Sequence, residues 1–240
     1  LIQRAKLPVR RWDPDYATLV KEELVKQGVH CHPETSPKAV EKGVSSPLRV
    51  ITDRGEIDTD LLLVATGVRP ETRLAETIGL TVGETRALRV KFSQETSREG
   101  IYAVGDCAEV FHRVSQSWTS LPLGDIANKQ GRVAGSNIGG TPLLFPGVVG
   151  AQSFKVFDLQ VAATGLNEGE AKKSGFTPVV EKVTGTPTAR SMSRGERIHL
   201  KLIADRSTGR LLGAQAVGSK GAVSRINFLS AALWSGLKID

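Results

Sequence analysis

The sequence predicts an α/β protein in which strands of a buried parallel sheet are followed by a smaller α+β unit. Two continuous apolar segments, Asp60–Gly67 and Gly100–Ala108, end in small residues, as expected for a sheet that is covered on both faces. After about residue 148, short strand patterns are bounded by helical patterns, which is typical of an α+β unit. The length of 240 residues allows two or three small domains.

The composition excludes several classes of function. Hydrophobic residues make up 40% of the chain and charged residues 24%, as in ordinary globular proteins. No apolar stretch of about 18 residues is present, so we expect no membrane span. The net charge is +7, but the basic residues are dispersed and aromatic residues make up only 5%. This argues against a nucleic-acid surface. The excess charge fits either binding of small anions or a solvated surface.

The cysteine content bears on the cellular compartment, and the first residues bear on whether the sequence is a segment of a longer chain. Two cysteines, Cys31 and Cys107, form no disulfide framework, which fits a reducing cytoplasm. Residues 1–4 read as the end of a strand and show no signal-peptide pattern. We therefore expect a segment of a longer chain.

The first 68 residues predict strands around one helix. Asp13 suits the N-cap, Pro14 the first helical position and Gly28 the end of this helix. The strands predicted after it are Val29–His32, Leu48–Thr52 with Glu56–Ile57 across a tight turn, and Asp60–Gly67.

The middle of the chain begins after Arg69–Pro70. Its predicted elements are a helical turn at Leu74–Ile78, strands at Leu88–Val90 and Ile101–Val104, and a polar loop at His112–Ser120. A helix capped by Asp125 is expected to run to about Ile138. Its interior Gly131 and Gly135 cost roughly 1 kcal/mol each. They indicate close packing of either a cofactor or another helix.

The last part of the chain predicts hairpin strands and two helices. The strands are expected at Ser153–Phe157, Gln160–Thr164, Val179–Val183, Arg197–Ala204 and Arg210–Val217, and the helices at Asn167–Lys173 and around Val223–Leu233.

Asp106 is the first candidate for a binding residue. It follows an apolar strand and Gly105, so its carboxylate is expected at the mouth of a parallel sheet, where ligands bind in open α/β folds. A carboxylate accepts hydrogen bonds from hydroxyl groups and carries no redox chemistry, which suits the binding of a sugar or ribityl chain. The alternative is a buried strand followed by a tight turn.

Several segments, in this order, resemble flavin-dependent pyridine-nucleotide disulfide oxidoreductases. Those that resemble the cofactor-binding motifs are DLLLVATG at Asp60–Gly67, the segment Thr96–Asp106 and the helix Ala127–Gly135. Two later segments, Phe154–Asp158 and Lys201–Gln215, resemble the family's dimerisation domain. The pattern is most similar to coenzyme A disulfide reductases and NADH oxidases.

The resemblance implies three domain segments. Residues 1–68 would be the later part of a Rossmann-like NAD(P)-binding domain, 69–147 the returning part of a Rossmann-like FAD-binding domain, and 148–240 a C-terminally incomplete α+β dimerisation domain. It also implies a homodimer and a small-molecule thiol or disulfide substrate, with no nucleic-acid or membrane partner. Both glycine-rich fingerprints and the redox-active cysteine of the family are missing, so we expect no catalytic residue in this chain and no activity of the chain alone.

The resemblance also assigns roles to individual residues. Asp106 would accept hydrogen bonds from the ribityl hydroxyls of FAD. Leu121, Pro122 and Leu123 would line its ring. The other residues expected to bind FAD are Gly67, Thr96, Gly105 and Ala127. Asn128 or Lys129 would face the substrate.

Gln3 occupies the position at which an acidic residue would bind the ribose 2′-hydroxyl of NADH. Glutamine lacks the charge that repels a 2′-phosphate, and Arg4, Lys6, Arg10 and Arg11 follow. This favours NADPH, or use of both NADPH and NADH. The alternative is a neutral substitution near scattered surface arginines.

We expect no chemical role for two further features, the segment His30–His32 and Cys107. In His30–His32, strand alternation places the two histidines on one face and Cys31 on the other, so we expect no metal site. Cys107 follows Asp106 directly, where the family commonly carries a cysteine without a catalytic role.

The predicted function is transfer of hydride from NAD(P)H to FAD, and of electrons onward to a disulfide such as coenzyme A disulfide, through a cysteine outside this chain. The alternatives within the enzyme class are an NADH oxidase or peroxidase and a persulfide reductase. An alternative from another class is a dimerisation module without catalytic function.

Overall fold

The computed structural model describes residues 1–192 and 195–239 and shows a mixed α/β chain. Within these residues there are five α-helices, ten strands and two short 3₁₀ turns. In chain order the elements are α1 (Pro14–Lys26), β1 (Pro37–Lys42), β2 (Leu48–Thr52), β3 (Gly55–Thr59), α2 (Arg73–Thr77), a 3₁₀ turn (Gly105–Cys107), β4 (Val110–His112), β5 (Ser117–Thr119), α3 (Gly124–Ile138), β6 (Gln152–Val156), β7 (Leu159–Gly165), α4 (Glu168–Lys173), β8 (Pro178–Gly185), a second 3₁₀ turn (Arg190–Met192), β9 (Ile198–Asp205), β10 (Leu211–Gly218) and α5 (Ala222–Trp234). None of the helices in the described ranges is long and apolar enough to cross a bilayer.

Contacts divide the chain into two compact units. The first joins Leu1–Ala65 with the segment that begins at Ala151, and the second is Thr66–Gly150.

Helix α1 of the first unit begins and ends where the sequence predicts. Asp13 takes the N-cap position, Pro14 is the first helical residue, and Gly28, with φ +83°, follows the C-terminus. Proline fixes a helical φ and lacks an N–H that would be unpaired in the first turn. Glycine adopts the left-handed conformation without a Cβ clash. The Asp13 side chain forms no capping hydrogen bond, because it is engaged in a polar cluster.

The first unit contains two antiparallel sheets. The smaller has the order β1-β2-β3, and the β2–β3 turn lies where the sequence predicts it. The larger has the order β6-β7-β10-β9-β8, with every residue of β10 buried. The small side chains of Ala162, Ala214 and Ala216 let α5 pack closely, and Ala222 and Ile226 fill this contact. The strands and helices predicted after residue 148 are confirmed, with ends shifted by one or two residues.

Helix α1 packs on the larger sheet through an apolar cluster. Tyr16 and Val20 are buried against Val161 and Val217 of the sheet, together with Trp12 just before the helix. This packing connects the first residues of the chain to residues after 151 within one core.

A polar cluster around a buried lysine lies beside this apolar contact, and we call it the Lys201 cluster. It comprises Asp13, Asp15, Glu168, Lys201 and Gln215. The Lys201 ammonium lies 2.6 Å from Asp15 Oδ1, 2.9 Å from Glu168 Oε1 and 3.2 Å from Asp13 Oδ2. Gln215 donates to Asp13 Oδ2 at 2.9 Å. Lys201 is fully buried, so this cation depends on the carboxylates around it.

In the second unit, α2 and the end of α3 lie where the sequence predicts them. The start of α3 differs, because Leu123 occupies the N-cap position and Asp125 lies in the first turn; Asp125 is therefore not the cap. The predicted polar loop His112–Ser120 is also wrong in part, because β4 and β5 form a hairpin there. Phe111 and Trp118 are paired across it, with ring centroids 5.6 Å apart, and such aromatic pairs stabilise antiparallel strands.

The strand predicted at Asp60–Gly67 is wrong for the structure. These residues form no strand, and Leu61 and Leu63 are 82% and 84% exposed. A buried parallel strand requires hydrogen-bonded neighbours on both sides. None of the three sheets in the described residues supplies a neighbour for this segment.

Three other predicted strands are reduced to isolated bridges. Leu88 bridges Val82 and Ala108, and Tyr102 bridges Glu95. In the segment predicted as Val29–His32, only His32 forms a bridge, a parallel one with Ile2. The sequence prediction of full strands is therefore wrong for three segments, because each segment pairs only at single positions. These segments are Leu88–Val90, Ile101–Val104 and Val29–His32.

Candidate functional site

The 3₁₀ turn Gly105–Cys107, which we call the Gly105 turn, carries the exposed carboxylate of Asp106. Gly105 has φ +73°, a left-handed conformation that favours glycine, so the chain reverses sharply before Asp106. The Ala108 N–H donates to the Gly105 carbonyl at 3.0 Å and closes the turn. Within the described residues, the Asp106 carboxylate accepts no hydrogen bond. It is thus free to accept from an external hydroxyl.

Helix α3 holds the Gly105 turn through Gln130. The Gly105 N–H donates to Gln130 Oε1 at 2.8 Å, and Gln130 Nε2 donates to the Glu109 carbonyl at 3.2 Å. A Cβ placed on Gly105 would lie 3.4 Å from the Cβ of Ala127, one turn earlier on α3. Ala127, predicted as a cofactor-binding residue, therefore packs beside the turn.

Gln130 is a residue that the sequence interpretation does not single out. It is 1% exposed and shares the buried face of α3 with Ile126, Val133 and Ala134. A polar side chain on the apolar face of a helix is the signal that could have identified it, because such a side chain is buried only with partners.

Thr96 lies in the loop that precedes the turn and is buried. Its hydroxyl donates to the Arg98 carbonyl and accepts from the Arg98 N–H, both at 3.3 Å. The side chain therefore closes a local turn of its own loop. A contact between Thr96 and a cofactor stays a prediction.

The segment before α3 presents apolar and backbone groups. Leu121 and Leu123 are half-buried and pack against a cluster formed by Val110, Ile126, Val133 and Phe145. Pro122 between them is exposed. The helix that follows has free N–H groups in its first turn and the positive end of its dipole. This segment could therefore lie against a flat, apolar group that carries negative charge.

The substrate candidates lie on the exposed face of α3. Asn128 and Lys129 are exposed, and Lys129 lies 3.9 Å from Asp125 in an i,i+4 pair. A Cβ on Gly131 or Gly135 would meet no described atom within 4 Å. The choice between a cofactor and another helix as the group that packs on these glycines stays open.

Gln3 and Arg4 belong to the first unit. Gln3 donates to the His32 carbonyl through its N–H and to the Ala5 carbonyl through its side chain. Arg4 is exposed, and Lys6 and Arg10 share that exposure. These three cations are available to an anion.

Arg11 differs from the other basic residues that follow Gln3 in the sequence. Its Nη2 donates to the Gly165 carbonyl at 3.5 Å, and burial lowers the pKa of its guanidinium although Glu170 opposes this. The side chain is directed into the first unit, so it does not join the exposed cations.

Gly67 and the cysteines complete the predicted set. Gly67 is exposed with φ +105°, and its proposed contact with a cofactor stays a prediction. The Cys107 thiol donates to the Val104 carbonyl at 3.3 Å. His30 and His32 are exposed. The described part of the chain contains no cluster of three or more His, Cys, Asp or Glu side chains that could hold a metal ion.

Comparison with known families covers almost the whole chain. Residues 1–131 match the family described as pyridine nucleotide-disulphide oxidoreductase, and residues 151–240 match the dimerisation domain of the same family. The chain belongs to the pyridine nucleotide-disulphide oxidoreductases. The family resemblance predicted from the sequence is thereby confirmed.

Curated relatives of this chain include archaeal proteins. An NAD(P)H sulfur oxidoreductase (CoA-dependent) of Pyrococcus furiosus is 36% identical over 236 residues, which are 98% of this chain and 53% of that protein. An NADH oxidase of Methanocaldococcus jannaschii is 34% identical, over 95% of this chain and 50% of that protein. The chain spans about half the length of these relatives.

Solved structures of pyridine nucleotide-disulphide oxidoreductases share the fold. An NAD-dependent persulfide reductase from A. fulgidus is 37% identical with a TM-score of 0.93, over 100% of this chain and 44% of that chain. A reduced Bacillus anthracis CoADR-RHD is 33% identical with a TM-score of 0.91, over 99% of this chain and 42% of that chain. The predicted α/β fold class is confirmed.

Proposed function

We propose that the protein containing this sequence is a homodimeric, FAD-dependent NAD(P)H oxidoreductase that reduces a sulfur–sulfur bond, such as that of coenzyme A disulfide or a persulfide. The net reaction would be NAD(P)H + H⁺ + RSSR′ → NAD(P)⁺ + RSH + R′SH. Relatives whose names specify coenzyme A, polysulfide or persulfide support the acceptor class. The matched dimerisation domain supports the homodimer.

The observation that carries the proposal is the exposed Asp106 carboxylate on the Gly105 turn. A hydroxylated chain requires acceptors that are not already paired, and Asp106 meets this requirement within the described residues. Leu121 and Leu123 provide apolar surface beside the α3 N-terminus. The residues present therefore fit FAD.

Each of these residues would have a separate role toward the cofactor. Asp106 would accept hydrogen bonds from the ribityl hydroxyls, and Gly105 would allow close approach of the backbone. Leu121, Pro122 and Leu123 would line the ring, and the first turn of α3 would stabilise negative charge on it. When bound, FAD supplies a group that accepts hydride and passes electrons on singly or in pairs.

For the nicotinamide cofactor, we propose NADPH or use of both cofactors. Gln3 carries no charge, and the cations Arg4, Lys6 and Arg10 are exposed nearby in the sequence. Comparing kcat/KM of the intact protein for NADPH and NADH tests this. A strong preference for NADH would contradict it.

An NADH oxidase is the second candidate, favoured by the 34% identical relative of that name. A dimerisation module without catalytic function is a third reading. The test is to purify the intact protein, record its flavin absorbance, and follow NAD(P)H oxidation with coenzyme A disulfide, polysulfide or oxygen alone. We expect a yellow protein that is fastest with a sulfur acceptor. A yellow protein that reduces only oxygen would indicate the oxidase, and a colourless, stable dimer would indicate the dimerisation module.

A further inference from the structure

Gln130 bridges the two ends of the segment that contains Asp106. Its Oε1 accepts from the Gly105 N–H at 2.8 Å, and its Nε2 donates to the Glu109 carbonyl at 3.2 Å. The two backbone groups are four residues apart in sequence. One side-chain amide therefore sets the distance between them, and Asp106 lies inside the loop that this amide closes.

Backbone hydrogen bonds also hold this loop. The Ala108 N–H donates to the Gly105 carbonyl at 3.0 Å and closes the turn, and further bonds hold the later side. The Leu88 N–H donates to the Cys107 carbonyl at 2.7 Å, and the Glu109 N–H donates to the Leu88 carbonyl at 2.9 Å. At the earlier side, Gly105 is in a left-handed conformation without a side chain, and its N–H is bonded to Gln130. Gln130 therefore adds, from another element, the hydrogen bond that fixes the Gly105 N–H, whereas the Ala108 N–H fixes the Gly105 carbonyl from within the turn.

An apolar residue would satisfy the packing of α3 at this position. Ile126 and Val133 fill the same face with apolar groups. Gln130 is 1% exposed, and a buried amide is stabilising only when its hydrogen bonds are formed. Packing alone does not account for glutamine here, whereas support of the Gly105 turn does.

We propose that Gln130 is a positioning residue for flavin binding, which fixes the Gly105 turn so that the Asp106 carboxylate is held in one direction before the cofactor binds. This rests on the proposed function, because it requires that Asp106 binds FAD. Gln130 itself does not touch the cofactor; it acts through the backbone of Gly105 and Glu109. The gain is preorganisation, since a carboxylate that is already oriented loses less freedom on binding.

The test uses the intact protein, stripped of flavin and titrated with FAD while flavin fluorescence is recorded. Gln130→Met is nearly isosteric and removes both hydrogen bonds. We expect it to weaken FAD binding roughly tenfold. Gln130→Asn, which is one methylene shorter and cannot reach both backbone groups, should weaken binding in the same direction and serves if the methionine variant does not fold.

Asn137→Leu is the matched control on the same helix. The Asn137 amide also connects backbone groups, donating to Val133 and Leu143 carbonyls at 2.8 Å, but it lies at the other end of α3. We expect it to lower the thermal midpoint of the flavin-free protein as Gln130→Met does, while leaving the FAD dissociation constant within about twofold. If both variants changed FAD binding equally for the same loss of stability, Gln130 would have only a structural role.

A double-mutant cycle with Asp106→Ala separates the inference from the proposed function. Because both residues act on the same contact, the effects of Asp106→Ala and Gln130→Met on FAD binding should be clearly less than additive. Additive effects would overturn the inference and leave the proposed function intact. A parent protein that binds no FAD, or an Asp106→Ala variant that binds it normally, would instead contradict the proposed function.

Discussion

Asp106 and Gln130 differ in exposure and in hydrogen bonding. This difference distinguishes a residue that binds a cofactor from a residue that supports the backbone around it. Asp106 is exposed, and its carboxylate has no hydrogen-bond partner in the described ranges, so the fold gains little from it. Gln130 is 1% exposed and forms two hydrogen bonds to the backbone, so the fold depends on it. A binding residue can thus be changed with little effect on folding, whereas its support cannot.

Substitution of Asp106 tests this separation. We expect Asp106→Ala to weaken FAD binding by about one to two orders of magnitude, since hydrogen bonds to a charged group contribute roughly 1.5–3 kcal/mol. The thermal midpoint of the flavin-free protein should stay nearly unchanged. Titration with FAD and a melting curve measure the two effects. Asp158→Ala, which changes another exposed turn aspartate, is the control and should bind FAD as the parent does.

The sequence predicts Asp106 at an exposed turn but not the residue that holds it. Its position follows from local signals, because an apolar segment precedes Gly105 and a glycine permits the reversal. The contact with Gln130 spans 25 residues, and no local pattern specifies it. Arg11 shows the converse, because its charge predicts exposure, whereas the Gly165 carbonyl and its burial place it inside the first unit. Side-chain direction is therefore the part that the sequence predicts least.

At the scale of elements, the Lys201 cluster connects α1 to the larger sheet. Burial alone would lower the pKa of Lys201, but hydrogen bonds to Asp15 and Glu168 outweigh it and raise the pKa. Burial alone would also raise the pKa of Asp15, and hydrogen bonds from Lys182 and Lys201 lower it instead. The charged forms of Lys201 and Asp15 thus stabilise each other, whereas burial raises the pKa of Asp13 although Lys201 opposes this. Removal of the central cation leaves three carboxylates close together.

Lys201→Met is expected to lower the free energy of unfolding by about 3–5 kcal/mol, because it leaves the buried Asp13 carboxylate without its counter-ion. Lys182→Met is the matched control. Lys182 lies 2.8 Å from Asp15, but its side chain is 57% exposed, and such a pair contributes less than about 1 kcal/mol. Denaturant unfolding of the intact protein measures both changes. Equal small losses would show that the Lys201 cluster contributes no more than a surface pair.

The pH dependence of stability should show the effect of the Lys201 cluster on Tyr16, which follows Asp15 directly in α1. Burial, followed by the charges of Asp15 and Asp13, raises the pKa of Tyr16. The unfolded state releases the tyrosine proton near pH ~10 while the folded state retains it, so stability falls as pH rises above about 10. The raised pKa of Lys201 acts in the same direction. Tyr16→Phe should make this alkaline loss less steep in melting curves between about pH 9 and 11.5. Superimposable curves for Tyr16→Phe and the parent would contradict the assignment.

The strands that the sequence predicts correctly have a partner that is near in sequence, although β4 and β5 are also near in sequence and fall within the predicted polar loop or at its edge. Strands β9 and β10 are joined by a tight turn, and their pairing is set by that turn and by the alternation within each strand. Asp60–Gly67 has an equally strong apolar pattern, yet it forms no strand, because a parallel strand depends on partners far away in the sequence. The apolar pattern of a segment thus predicts that it can form a strand. Whether it does so depends on which partner strands the fold places beside it.

At the scale of the whole molecule, exposed apolar side chains indicate where other surfaces pack. Helix α5 packs Ile226 against the larger sheet and also buries Leu233. Phe228 and Trp234 of the same helix are exposed, with 73% and 44% of their surface accessible. This helix lies within residues 151–240, which match the family's dimerisation domain. Large exposed aromatic residues on such a domain are typical centres of an interface.

Phe228→Glu is therefore expected to shift the proposed homodimer toward monomer. A charge placed in the buried centre of an interface costs at least about 2 kcal/mol, which raises the dimer dissociation constant about thirtyfold or more. Sedimentation velocity of the intact protein over a range of concentrations measures this. Val44→Glu changes a residue that is 86% exposed in the β1–β2 turn, and it should leave the dimer intact. A Phe228→Glu protein as dimeric as the parent at nanomolar concentration would place the interface on another face of the domain.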